Sequence, residues 1–245
     1  MSRQRQERYF SGILGQDYRL LQLICPLAAE MSRLVGGQVG NYQSGQPAER
    51  LQVLEIGGGT GITSLAILTA REDCHVLAID NEPDMLDQAR QNLRQWAEQG
   101  RLTFLQQDAL TALQQQKTAG IGIVASAYTL HNFHHDYRGE VLREIFRVLK
   151  PGGLFVNGDR YALDDIVAHT RLIQQEVSGY FAVLTKMQRL DLLERWIVHL
   201  FSDESENHVM RESQALRQLQ QTGFVDIKLT DRQQVNALLT ASKPC

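Results

Sequence analysis

Cysteine is scarce and unpaired in this chain. Cys25, Cys74 and Cys245 are odd in number, far apart and without a C-x-x-C spacing, which excludes a disulfide framework and a thiolate zinc site and fits a reducing compartment. An excess of either charge is missing too: 25 Lys and Arg stand against 28 Asp and Glu, a net charge of −3. No overall field therefore draws the chain to nucleic acid or anionic lipid, and Arg3, Arg5 and Arg8, interleaved with Gln, read as a solvated leader. No run approaches the ~18 apolar residues of a membrane span, and the first residues lack a signal-peptide core. The expectation is a cytoplasmic protein with no membrane partner. There is no internal repeat, and the Gln tracts such as 114–116 are too short to count as low complexity.

What is present is enough apolar residue for a full core: 43% of 245 residues, with nothing marking a second domain. Leu20, Ile24, Leu27, Met31 and Leu34 recur at helical spacing, predicting a helix over residues 17–35 that Gly36 and Gly37 stop. Strands and helices then alternate. Strands are expected at 51–56, 75–79, 102–105, 121–127 and 154–157, with helices over 61–70, from Pro83, and around Val141, Ile145 and Leu149. Pro151-Gly152-Gly153 reads as a turn. This βα order implies a doubly wound, mostly parallel α/β sheet. After Asp159 the period changes: residues 161–221 hold only helical stripes, such as Val183, Met187, Leu190, Leu193, Trp196 and Ile197. Gly223 then opens two short strands, 224–229 and 235–241, an antiparallel hairpin.

The chemistry-bearing signal lies at Val53-Leu54-Glu55-Ile56-Gly57-Gly58-Gly59-Thr60-Gly61, with Asp80-Asn81 ending the next strand. Glycines between a strand and a helix bring bare backbone against a ligand, and the acid is placed to grip a ribose. The third glycine of a pyrophosphate-cradling G-x-G-x-x-G loop is absent, because position 62 is Ile62. The spacing Glu55-x-Gly57-x-Gly59-x-Gly61 instead resembles the first motif of class I S-adenosylmethionine-dependent methyltransferases. Gln107-Asp108, Tyr128-Thr129-Leu130-His131 and Leu149-Lys150-Pro151-Gly152-Gly153 follow in the order of that superfamily. The resemblance implies a Rossmann-like seven-stranded sheet with a C-terminal antiparallel hairpin and a helical insert. It implies one domain, 1–245, with an N-terminal helical cap (1–50), a cofactor-binding core (51–160), a helical insert over the active site (161–222) and a closing hairpin (223–245).

Carried over by residue, the resemblance has S-adenosyl-L-methionine as cofactor and a small-molecule acceptor. Gly57, Gly59 and Gly61 pack on the methionine part and ribose, and Glu55 accepts from the α-ammonium directly or through water. Asp80, with Asn81, takes the ribose hydroxyls. Asp108 accepts from the adenine amine with the Ala109 N–H facing the ring; the alternative for Asp108 is a helix N-cap. His131 and Tyr128 are the catalytic candidates, since the fourth strand should end at the transferred methyl and an imidazole titrates near neutral pH. The alternative for His131 is packing. No metal is expected, because adjacent His134 and His135 cannot both face one ion. The Asn-Pro-Pro-Tyr signature for methylating nucleic-acid bases is replaced by Ala127-Tyr128-Thr129-Leu130, which argues against a nucleic-acid substrate.

A thinner resemblance runs to the carboxy-S-adenosylmethionine synthases. Tyr18 twelve residues before Glu30, Ala78-Ile79-Asp80-Asn81, Tyr128-Thr129-Leu130 and Gly179-Tyr180 followed by Arg189 carry it, while Ala127 departs from that family's asparagine. It implies a cofactor contact for Tyr18 and a carboxylate contact for Arg189. Arg160, directly after Asp159, is the second expected anion contact of the substrate site. Tyr161, Tyr180, Phe181 and Trp196 fit core packing, a homodimer contact or a substrate-stacking surface. Three functional readings stay open: methyl transfer to an O, N or C atom of a small molecule, a carboxy-S-adenosylmethionine synthase-like enzyme, and a non-catalytic cofactor-binding subunit.

Overall fold

The computed structural model describes residues 23–43 and 50–245. One seven-stranded sheet runs through it in the order β3-β2-β1-β4-β5-β7-β6. The strands are β1 (Leu51–Ile56), β2 (Cys74–Asp80), β3 (Leu102–Gln106), β4 (Ile121–Ala127), β5 (Leu149–Arg160), β6 (Val225–Gln233) and β7 (Asn236–Ser242). The first five pair in parallel, and β7 enters antiparallel between β5 and β6. The reversal at β1 and β4, where the chain leaves the sheet on opposite sides, creates the crevice in which this class of sheet binds ligands.

Both faces are covered, which is why β1 and β4 read as near-continuous apolar runs. Val53 packs with Val35, Val39 and Leu65 on one face, while Leu54 and Ile56 pack with Val141, Ile145 and Phe155 on the other. The first face carries α1 (Pro26–Asn41), α2 (Ile62–Ala70), α3 (Pro83–Asn92) and α4 (Arg94–Glu98). The second carries α5 (Ala109–Gln114), α6 (His135–Val148) and α9 (Glu212–Thr222). Between β5 and α9 lie α7 (Ile166–Lys186) and α8 (Leu190–Asp203), held by a small core of their own: Tyr180, Leu184, Leu193 and Leu200 with Ile24.

Two expectations change. The first helix does not stop at Gly36 but continues through Gly36, Gly37 and Gly40 to Asn41. A Cβ on Gly36 would meet the Ala66 backbone at 2.6 Å, and one on Gly40 would meet Ala70 at 3.1 Å. These glycines are notches that let α1 and α2 touch. The fifth strand begins at Leu149, not at 154: Ile121 pairs with Leu149 and Ile123 with Leu154, so Pro151-Gly152-Gly153 sits in a bulge within the strand.

Candidate active site

One cleft of about 1150 Å³ opens along the carboxyl ends of β1, β2 and β4, under α7 and α8. The three expected glycines all have positive φ, +74° at Gly57, +50° at Gly59 and +93° at Gly61, but for different reasons. A Cβ on Gly57 would stand 1.9 Å from Thr129 Oγ1, and one on Gly61 would stand 2.6 Å from Leu93 Cδ1. Gly57 therefore serves the junction with the β4 turn, and Gly61, which does not line the cleft, serves helix packing. Only at Gly59 would a Cβ meet nothing within 4 Å, so this is where bare backbone faces open space.

Asp80 lines the cleft beside Asn81 and fixes the loop. Its Oδ2 accepts from the Gly59 N–H at 2.8 Å and its Oδ1 from the Glu82 N–H at 2.9 Å. A carboxylate has lone pairs left for two hydroxyls after these two bonds. Glu55 sits elsewhere than expected. It is 0% exposed, lies behind the loop outside the cleft lining, and accepts from the Ser64 hydroxyl through Oε2. Its Oε1 has no hydrogen-bond partner among the described residues, and burial pushes the carboxyl up to about 8, against the Ser64 bond and aided by nearby Asp80. A carboxyl buried behind the loop makes no direct contact with the cleft.

Asp108 lines the cleft with Ala109, and it is also the N-cap of α5. Its Oδ1 accepts from the Thr111 N–H at 3.0 Å and from the Tyr137 hydroxyl at 3.2 Å, and the Thr111 bonds lead in holding the carboxyl below its ordinary value. Asp108 is thus an N-cap that also lines the cleft. Tyr18 lies outside the described residues.

The far end of the cleft is made by side chains. Tyr128 has φ +51°, strain on the order of 1–3 kcal/mol of a kind concentrated at functional sites. Its hydroxyl donates to Asn236 Oδ1, and burial holds the phenol well above its ordinary value, so it supports the site and is a poor proton acceptor. The turn Leu130–Asn132 that follows is clamped by Arg138, whose guanidinium donates to the Leu130 carbonyl at 2.9 Å and the Phe133 carbonyl at 2.7 Å. His131, 4% exposed, is thereby fixed. Its Nδ1 meets Asp159 Oδ1 at 2.5 Å. Burial alone would push the Asp159 carboxyl up; His131 and the bonds from Arg160 N and Asn157 outweigh it and hold the group low. An imidazole whose Nδ1–H donates to Asp159 presents its other nitrogen, Nε2, toward Asp203 in the cleft.

Three cleft residues that the sequence reading did not single out come from α8: His199 and Asp203 beside His131, and Arg195 further along the same lining. His131 Nε2 and His199 Nε2 each lie 3.6 Å from Asp203 Oδ2. Burial pushes the Asp203 carboxyl up, against the opposing pull of His131, His199 and Arg160. His199 and Asp203 are four residues apart, one face of a helix, and that spacing was the available signal.

The two expected anion contacts are corrected. Arg160 lines the cleft, but its guanidinium is closed by Glu176 at 2.8 Å and by Glu204 at 3.1 Å, and Glu204 also holds His169 at 2.6 Å. Arg189 does not reach the cleft: it precedes α8 at the surface, paired with Asp191 at 2.6 Å. Its spacing from Tyr180, which does line the cleft, spans the α7–α8 turn and so carries it away. The cleft arginine without an ion pair among the described residues is Arg195.

The sheet order, the glycine turn after β1 and the acids after β2 and β3 are those of the Rossmann-like fold that solved methyltransferases share. Residues 53–153 match the methyltransferase domain family. The chain is 38% identical over 109 residues to a demethylmenaquinone methyltransferase of Leptospira interrogans, covering 44% of this chain and 43% of that one. It is 22% identical over 217 residues to a carboxy-S-adenosyl-L-methionine synthase of Photorhabdus laumondii, 86% of this chain and 79% of that one. An O-methyltransferase family protein from Burkholderia thailandensis shares the fold at TM-score 0.63 with 16% identity, over 88% of this chain and 57% of that one. The chain thus spans less than half the length of the first of these relatives, 43%. No helix among the described residues is long and apolar enough to cross a membrane.

Solved neighbours with this fold include an S-adenosylmethionine-dependent methyltransferase, at 19% identity, and the residues present here fit that cofactor. Gly59 offers open backbone, Asp80 offers free lone pairs beside it, and Asp108 with Ala109 stands at the next strand end.

Proposed function

We propose that residues 1–245 form a single-domain enzyme that moves the methyl group of S-adenosylmethionine to an O, N or C atom of a small molecule. In this reading 1–50 is a helical cap, 51–160 the cofactor-binding core, 161–222 an insert that encloses the acceptor, and 223–245 the closing hairpin. The observation that carries it is that one cleft runs unbroken from Gly59, Asp80 and Asp108 to Thr129, His131 and Arg195. Bound there, the cofactor supplies a methyl already activated by a positive sulfur. What the protein has to add is alignment, worth roughly 7–11 kcal/mol of barrier when donor and acceptor are held in line.

The chain's own residues divide that work. Asp80 and Asn81 hold the ribose, Asp108 and Ala109 the adenine, and Gly59 lets the backbone approach. At the other end His131, aimed by Asp159 and Arg138, accepts a hydrogen bond from the acceptor's nucleophilic group. Arg195 meets a negative group on the acceptor, and Trp196 with Leu192 and Leu200 excludes water. The near-neutral charge supports a small molecule over nucleic acid as partner, and the unpaired cysteines support a cytoplasmic location. Exposed Ile166, Val167, Val198 and Phe201 on α7 and α8 support a homodimer through that layer.

Calorimetry with S-adenosylmethionine tests the cofactor half. Hydrogen bonds to a charged group contribute about 1.5–3 kcal/mol, so Asp80→Ala should weaken binding about tenfold to a hundredfold. Unchanged affinity in the folded variant removes the ribose assignment. The length of the alignment to carboxy-S-adenosyl-L-methionine synthases, 86% of this chain, favours a second reading in which the same pocket carboxylates the cofactor. Ala127 and the surface position of Arg189 weigh against it. The mass of the small molecule that co-purifies decides, since the carboxylated cofactor is heavier than S-adenosylmethionine.

A further inference from the structure

We propose that His131, His199 and Asp203 form a binding site for a single first-row divalent cation, open toward the acceptor end of the cleft. The three ligand atoms lie within 4.8 Å of one another. The two separations of 3.6 Å between imidazole nitrogens and Asp203 Oδ2 are too long for hydrogen bonds. They are close to the spacing of roughly 3.4 Å between two ligands set at a tetrahedral angle around an ion with bonds of about 2.1 Å. His199, half exposed at 51%, has the freedom to close the remaining gap.

The surroundings point the same way. His131 is held through Nδ1 by a buried carboxylate, the outer arrangement that fixes a metal-binding histidine with its other nitrogen free. Asp159 in turn accepts from the Leu130 N–H at 3.0 Å and the Asn157 side chain at 3.2 Å, so the support is itself rigid. Asp203 is 7% exposed, and the nearby guanidinium of Arg160 is paired with Glu176 and Glu204. It faces two imidazoles and has no strong cationic partner of its own. Two nitrogens and one carboxylate suit Zn²⁺, Co²⁺, Fe²⁺ or Mn²⁺ and leave positions open. Adjacent His134 and His135 play no part; α8 supplies the partners that the local sequence lacks.

The consequence for the acceptor rests on the methyl-transfer reading, whereas ion binding does not. An acceptor oxygen bound at the open position gives up its proton to solvent more readily, and the ion holds the resulting anion toward the methyl group. His131 is then a ligand and not the proton acceptor, and Arg195 takes a second negative group on the same molecule. The site therefore selects acceptors that bind through an anionic oxygen.

The test uses the full chain, stripped with chelator and titrated with Co²⁺ without cofactor or acceptor. Two signals report binding: visible absorption of the coordinated ion and quenching of Trp196, whose ring centroid is 6.2 Å from that of His199. We expect saturation at one ion per chain, displacement by Zn²⁺, and affinity lower by at least about a hundredfold in His199→Ala and Asp203→Asn. That is the upper end of the roughly 10–100-fold measured for losing an outer-shell partner. Circular dichroism checks that both variants remain folded, and His75→Ala, on β2 away from the cleft, should bind as the parent does. A parent without saturable signals overturns the proposal, and so does Co²⁺ binding of parental strength in both folded variants. If Co²⁺ binds as expected but no methyl transfer is found in any acceptor screen, the ion site stands and the methyl-transfer reading is what fails.

Discussion

The two ends of the cleft are built by different means. At the cofactor end the contacts are made by turns directly after β1, β2 and β3, with backbone atoms of Gly57, Gly58 and Gly59 bonded to Ile79 and Asp80. At the proposed acceptor end the groups that meet one another are mainly side chains, and they come from elements far apart in the chain: His131 after β4, Asp159 in β5, His199 and Asp203 in α8. A strand-turn-helix can be written in nine consecutive residues. A cluster assembled by packing a helix over a sheet edge cannot.

The sharpest way to break this contrast is within the glycine loop itself. In Gly57→Ala the new Cβ would stand 1.9, 2.6 and 2.7 Å from three atoms of the Thr129 side chain, so no rotamer of Thr129 relieves the clash. The loss should exceed about 4 kcal/mol, the range reserved for gross packing or backbone faults. In Gly59→Ala nothing is struck, and the cost is that of a left-handed Ala, roughly 1–2 kcal/mol. That variant should stay folded yet lose the rise in melting temperature that S-adenosylmethionine gives the parent. Thermal scans with and without cofactor compare the two; equal stability of both variants would mean that Gly57 is not the tie between the loop and the β4 turn. The two glycines look alike in sequence, and only the structure separates one packed against Thr129 from one that faces open space.

This is also why the sheet was legible in the sequence and the acceptor site was not. Val53 to Gly61, the strand ending at Asp80 and the apolar run over 121–127 are local patterns with local causes, and the structure reproduces each within a residue or so. Where the reading erred, a distant neighbour was responsible. Gly36 looked like a helix stop because the sequence does not reveal Ala66 beside it. Arg160 and Arg189 looked alike as anion contacts because neither the Glu176 and Glu204 that enclose the first nor the turn that carries the second to the surface can be read at their own positions. His199 and Asp203 carried a helical i, i+4 signal, but nothing at those positions indicates that His131 would face them.

The two arginines sharpen the comparison next. Arg160→Leu leaves Glu176 and Glu204 without their cation in a largely buried setting, and breaking such a pair costs about 3–5 kcal/mol. Because α7 and α8 hang on these carboxylates, the loss should appear first as faster proteolysis of the helical layer. Arg189→Leu removes an ion pair at the surface, and its denaturation midpoint should coincide with that of the parent. Urea titration of both variants measures the difference; a parental midpoint in Arg160→Leu would show that the layer is held by its apolar core alone.

A pH-dependent contribution lies beneath the glycine loop. Burial raises the Glu55 carboxyl to about 8 from the 4.5 of an exposed glutamate. Between those values the folded chain keeps a proton that the unfolded chain has released, so stability falls as pH rises across this window, by at most about 1.4 kcal/mol per pH unit. Below 4.5 both states are protonated and the group is neutral in its effect; above 8 both are ionised and the loss is complete. Glu55→Gln keeps the size of the side chain and a partner for Ser64 but does not titrate. Its stability relative to the parent should be near parity at pH 4.5 and rise steadily toward pH 8, measured as the difference of paired urea midpoints, so that every other titrating group cancels. A difference that stays flat across the window would show that Glu55 ionises freely in the folded chain. It would then be a charge available to the ligand through the loop, and the cofactor end would depend on a buried side chain as much as the acceptor end does.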